Sequence, residues 1–143
     1  MLKREDIVGK RITQILGDSS HSDESINYCD FIYVVGTHSF RMPFDDETGD
    51  LLPYAAVTAN HGELNWPREK TLHFERNLWS AHIVDILVPA DSEARYPNSG
   101  VIELSSGWYV VQSSSGSLGI APNVDIIPDL WEAGPMVSVW ALG

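Results

Sequence analysis

The chain of 143 residues has one cysteine, Cys29, and so cannot form an intrachain disulfide. It also lacks an apolar run of the ~20 residues that a membrane-spanning helix requires. Its first residues carry charge but are followed by neither an apolar core nor a small-residue cleavage site, which is unlike a secretory signal. We therefore expect a cytoplasmic protein that does not bind a membrane.

Basic residues are scarce. The chain has nine Lys and Arg residues and twenty Asp and Glu residues, which gives a formal net charge of −11. Residues 12–67 hold nine acids against the single base Arg41, and residues 96–143 hold four acids and no base. Such a surface repels phosphate backbones, so the sequence argues against nucleic-acid binding. Two interpretations of the acidity stay open, namely solubility and a functional face for a basic partner.

Sequence motifs for cofactor binding and catalysis are missing. There is no phosphate-binding loop, no dinucleotide-binding glycine pattern and no Gly-x-Ser-x-Gly nucleophile elbow. Cys29 has no base nearby in the sequence and is interpreted as a buried, inert thiol. The sequence therefore predicts no catalytic residue and no cofactor, and it favours a non-catalytic protein.

The five histidines are scattered along the chain. His61 and Glu63, and likewise His73 and Glu75, have a His-x-Glu spacing that would place both groups on one face of a strand. No further metal-binding pattern accompanies them. We interpret these histidines as exposed or hydrogen-bonded side chains, and we predict no metal site.

What is present indicates a folded β protein. The length and the 43% hydrophobic content predict a single globular domain over residues 1–143. The clearest pattern is a hairpin, in which residues 101–104 and 108–111 favour strands on either side of a Ser-Ser-Gly turn.

Other segments add strands and turns to this hairpin. Strands are predicted at residues 11–16, 28–35, 38–44, 71–75, 82–88 and 136–142, with a polar surface loop at 17–27 and a turn at 60–63. The predicted fold is mostly β (all-β or β-rich α+β), with six to nine strands and one or two short helices. The strands form either two packed antiparallel sheets or a partly open barrel.

A shift of 71 residues superimposes two β-meander patterns. It aligns residues 6–44 with 77–115, and it places Gly36 on Gly107 and Phe31 on Ile102. Both copies follow the order strand, polar loop, strand, glycine turn, strand. The match fits a true duplication as well as it fits two ordinary meanders, because regularly spaced short strands are common in all-β domains.

Two features point to protein binding. Asp45, Asp46, Glu47 and Asp50 form an acidic turn, and Trp66 lies in a polar Asn-Trp-Pro context that favours exposure. Acidic groups steer basic partners, and tryptophan is frequent among the residues that dominate interface energy. The sequence therefore favours a small acidic protein-binding module, such as an inhibitor or immunity-type protein of a basic toxin or enzyme.

Two alternatives stay open. One is a small-molecule-binding β-barrel, or an enzyme whose site is assembled from dispersed residues, with a deep pocket that includes His38 or His73. The other is a structural or assembly subunit, marked by a large apolar patch. No motif assigns the chain to a known family.

Overall fold

The structure, a computed structural model, describes residues 3–21, 26–42, 52–53, 61–64, 72–94, 99–112, 118–122 and 135–141. Ten strands lie within these ranges: β1 (Gln14–His21), β2 (Ile26–Val35), β3 (His38–Arg41), β4 (Leu52–Pro53), β5 (His61–Leu64), β6 (Ile83–Pro89), β7 (Gly100–Leu104), β8 (Tyr109–Gln112), β9 (Leu118–Ala121) and β10 (Met136–Ser138). Short 3₁₀ turns occupy Arg4–Asp6, Ser92–Ala94 and Val139–Ala141.

The strands form two antiparallel sheets of five strands each. The first sheet has the order β4-β3-β2-β1-β5 and the second has the order β10-β6-β7-β8-β9. In both sheets a four-strand meander is followed by a fifth strand that returns to pair with the first. The prediction of two packed antiparallel sheets with short helices is confirmed, and the second sheet repeats the strand order of the first.

The predicted 71-residue offset is visible in one strand and one turn. Strand β3 and strand β8 are related by that offset at both ends, and Gly36 and Gly107 both have positive φ, at 59° and 85°. The turns nevertheless differ. Val35 pairs with His38 across a two-residue turn, whereas Leu104 and Trp108 enclose three residues. The duplication of 6–44 and 77–115 therefore stays a prediction, now accompanied by a shared strand order.

One hydrophobic core lies between the sheets. It joins β2 and β3 residues of the first sheet, such as Tyr33 and Phe40, to Ile86 and Ile102 of the second. All four are completely buried. Alternation along the strands explains this, since every second side chain of a strand reaches the same face. The shared core holds the two sheets together as one packed unit.

The N-terminal segment connects the sheets before β1 begins. Arg11 forms an isolated antiparallel bridge with His82, and the Ile83 amide donates to the Lys10 carbonyl at 2.8 Å. Two residues later the Thr13 amide donates to Val34 O on β2, at 2.9 Å. Residues 10–13 therefore pass from the margin of the second sheet to the first within four positions.

A helical segment, residues 72–79, precedes β6. Leu72–Phe74 is an α-helical turn that continues as a π-helical turn over Glu75–Trp79. The Ser80 amide donates to the Glu75 carbonyl at 2.9 Å, which is the i to i+5 bond of a π-helix. The prediction of a strand over residues 71–75 was wrong. Phe74 and Leu78 are four residues apart, and both pack against the core, so helical spacing prevails over the short alternation.

Two local predictions near β1 were also wrong. Residues 17–27 were predicted to form a surface loop, but β1 extends to His21 and β2 begins at Ile26, and residues 22–25 lie outside the described residues. Ladder hydrogen bonds use the backbone, so polar side chains do not prevent pairing. Residues 60–63 were predicted to form a turn, yet β5 pairs there with β1, and Gly62 lies opposite Gly17.

The number of described strands, ten, also exceeds the predicted six to nine. The sequences of β4 and β5 have little of the alternating apolar pattern that predicts a strand. Within the described ranges, no helix has the length and apolar character required to cross a bilayer.

Candidate functional site

The predicted partner-binding residues Asp45, Asp46, Glu47, Asp50 and Trp66 lie outside the described residues. The structure therefore does not test them. Cys29 lies within β2, as the sequence pattern indicated.

His38 and His73, the two histidines proposed for a pocket, belong to different elements and make different contacts. His38 Nε2 lies 3.7 Å from Asp6 Oδ1, and both side chains are about one-third exposed. This contact ties β3 to the N-terminal 3₁₀ turn. His73 instead belongs to the helical segment, where Glu75 is two positions further along a helix rather than on the same face of a strand.

The helical segment presents an aromatic and cationic surface, which we call the helical face and define as Leu72, His73, Arg76 and Trp108. Leu72 is 65% exposed, the highest value among the large hydrophobic residues described. His73 and Arg76 are exposed and Trp108 is half-buried. The His73 and Trp108 rings meet edge to face, with centroids 4.5 Å apart.

Hydrogen bonds hold this face in place. Asn77 Nδ2 lies 2.9 Å from His73 Nδ1, and the Ser106 hydroxyl donates to the Asn77 carbonyl at 2.7 Å. The hydrogen bond between Asn77 and His73 links two side chains that are four positions apart on the helical segment. These contacts join the β7–β8 turn to the helical segment.

A cleft adjoins the helical segment. It is open, has a volume of about 180 Å³, and is lined by Arg11, Ile12, Thr13, Glu75 and Trp79. Neither His38 nor His73 lines it. Drug-sized sites usually have volumes of ~300–1,000 Å³, so this cleft suits a few heavy atoms or a single side chain.

The outer face of the second sheet carries two carboxylates side by side. Asp85 of β6 and Glu103 of β7 are directly paired, and Tyr109 of β8 lies opposite Glu103. A register shift precedes Asp85, and its Oδ1 accepts hydrogen bonds from the Ile86 amide and from the Ser138 hydroxyl, each at 2.8 Å. Like charges opposite each other destabilise a sheet, so these hydrogen bonds offset part of that cost.

Within the described part of the chain, no three His, Cys, Asp or Glu side chains form a group that could hold a metal ion. The hydroxyl of Ser106 donates to a backbone carbonyl, and the hydroxyl of Ser105 accepts from the His82 amide. These contacts stabilise the β7–β8 turn. They do not create the serine-to-base hydrogen bond that nucleophilic catalysis uses.

Comparison of the chain with protein-family models, with curated proteins and with solved structures gave no match in any of the three.

Sequence reasoning missed Leu72, Trp79 and Arg11 as surface groups. Leu72 and Trp79 could have been found from the four-residue spacing of Phe74 and Leu78, which predicts a helix and leaves Leu72 off its buried side. Arg11 gave no local signal, because its place beside Glu75 depends on contacts across 64 positions of sequence.

Proposed function

We propose that this protein is a small protein-binding module that captures a basic protein partner, as an inhibitor or immunity-type protein does. The helical face is its contact surface. The observation that carries this proposal is the exposure of Leu72 beside the edge-to-face pair of His73 and Trp108. Burial of the Leu72 side chain, which is 65% exposed, against a partner would contribute favourably to binding.

The composition of the helical face supports this role. Tryptophan and arginine are enriched among the residues whose truncation most weakens protein interfaces, and the face carries Trp108 and Arg76. The hydrogen bonds from Asn77 and Ser106 fix the segment before the partner arrives. Preorganisation of this kind lowers the entropy lost on association. The π-helical turn is a further indication, because such turns are rare and frequent at functional sites.

The net charge of the whole chain, and not the charge of the helical face that carries Arg76, supports a basic partner. The net charge of −11 attracts positive proteins over distances of about a Debye length, ~8–10 Å at ordinary salt. In this proposal the turn with Asp45, Asp46, Glu47 and Asp50 contributes to steering, and Trp66 adds a contact. The single cysteine supports a cytoplasmic setting.

The experiment compares capture from native lysate by the wild-type protein, by Leu72→Asp and by Ala90→Asp. Ala90 is exposed at the end of β6 and serves as a control for the added charge. We expect the wild type and the control to retain the same basic protein, with less retained as salt rises, and Leu72→Asp to lose it. Equal retention by all three folded proteins would remove the helical face from the proposal.

A further inference from the structure

We propose that the cleft between the N-terminal segment and the π-helical turn binds a small zwitterion of the free α-amino acid class. The cleft is lined by Arg11, Ile12, Thr13, Glu75 and Trp79. This site is separate from the helical face, and it does not depend on the protein-binding role proposed above.

Opposite charges face the same cleft from two elements. Arg11 comes from the N-terminal segment and Glu75 from the π-helical turn. The Arg11 and Glu75 side chains do not form an ion pair with each other; among the described residues, the ion-pair contact is that of His38 with Asp6, at 3.7 Å. A guanidinium binds a carboxylate through two parallel hydrogen bonds, and a glutamate accepts from an ammonium group. An α-amino acid carries both partners on adjacent atoms of one small molecule.

The walls of the cleft are held by the fold. The Thr13 amide and hydroxyl both donate to Val34 O, at 2.9 and 3.2 Å. Ile12 is 1% exposed, and the Glu75 carbonyl accepts the π-helical hydrogen bond from Ser80. A preformed site loses little conformational entropy when a ligand enters. Trp79 adds an apolar wall against which a short side chain can pack.

The size of the cleft and the charge of the residues around it limit the class of ligand that it can bind. The open cleft, with a volume of about 180 Å³, matches the size of a ligand of few heavy atoms. Residues 3–13 hold four bases and two acids, in a chain that is otherwise strongly acidic. This local excess favours the carboxylate end of the ligand at Arg11, and Glu75 then lies on the side of the ammonium end.

The test titrates the full chain with glycine, alanine and serine by NMR, and then with two modified probes. N-acetylalanine keeps the carboxylate without the ammonium, and alaninamide keeps the ammonium without the carboxylate. We expect saturable binding of at least one free amino acid with a dissociation constant at or below ~1 mM. Each modified probe should bind roughly tenfold more weakly, because each loses a charge-assisted hydrogen bond.

Four variants assign the two ends of the ligand. Arg11→Gln should weaken the binding of the free amino acid and leave the binding of alaninamide unchanged. Glu75→Gln should also weaken the binding of the free amino acid, but it should leave the binding of N-acetylalanine unchanged. Arg4→Gln and Glu93→Gln change the same charges at exposed positions outside the cleft and should have no effect. Absence of saturation well above ~1 mM, or equal binding of the free and modified probes, would overturn the proposal.

Discussion

The Tyr33 hydroxyl on β2 donates a 2.8 Å hydrogen bond to Gln112 Oε1 on β8, so a buried polar contact joins the two sheets. Tyr33 is completely buried and Gln112 is 1% exposed. The Tyr33 ring also stacks on Phe40, with centroids 5.3 Å apart. A polar contact at this depth constrains the relative position of the sheets, because any sliding would separate donor and acceptor.

Tyr33→Phe should lower the free energy of unfolding by about 1–3 kcal/mol, because the buried Gln112 Oε1 loses this donor. Urea unfolding at neutral pH measures the change. The double variant Tyr33→Phe, Gln112→Leu should recover part of the loss, since it removes both ends of the contact. A loss in Tyr33→Phe below about 0.3 kcal/mol would show that the contact does not stabilise the fold.

Gly100→Ala should destabilise the protein by about 1 kcal/mol, the lower end of the cost of overpacking, because the flexible Met42 side chain has to shift. A Cβ at position 100 would lie 2.9 Å from Met42 Sδ, and Met42 is completely buried. Gly119→Ala is the matched control, because nothing lies within 4 Å of a Cβ there. Thermal unfolding of both variants measures the difference. Similar melting temperatures would contradict the close approach of β7 to Met42.

Glu103→Gln should raise the free energy of unfolding by about 0.2–1 kcal/mol at low salt, because it removes the like charge opposite Asp85. The gain should shrink near 1 M salt, where charges are screened within ~3 Å. Glu93→Gln makes the same change in net charge at an exposed position of the Ser92–Ala94 turn. An equal gain in both variants would assign the effect to net charge and not to the pair.

The strongest strands could be predicted because their signals are local. Residues 101–111 carry β-branched and aromatic runs around a glycine turn, and β7 and β8 form there as predicted. Ile83 to Val88 has apolar residues on both faces, which fits the interior position of β6 between β10 and β7. In both cases the local side-chain pattern is sufficient to predict the strand.

The remaining strands depend on partners that are distant in sequence. β5 is a short His-Gly-Glu-Leu segment whose pairing requires β1, so local turn residues gave the wrong prediction. The far half of β1 is polar and is held by backbone hydrogen bonds to β2. The cleft could not be predicted for the same reason, since Arg11 and Glu75 line it from segments that are far apart in sequence. Sequence periodicity reports burial, and it does not report which surface groups converge.

The most direct test of the protein-binding account is site-specific photocrosslinking. A photoreactive phenylalanine analogue replaces Leu72 on the helical face, or Ala90 at the end of β6 as the control, and both proteins are incubated in native lysate. The account predicts that position 72 forms a covalent adduct with one basic protein, that high salt reduces its yield, and that position 90 does not form it. The same adducts from both positions, or none from position 72 while the protein remains folded, would contradict the account.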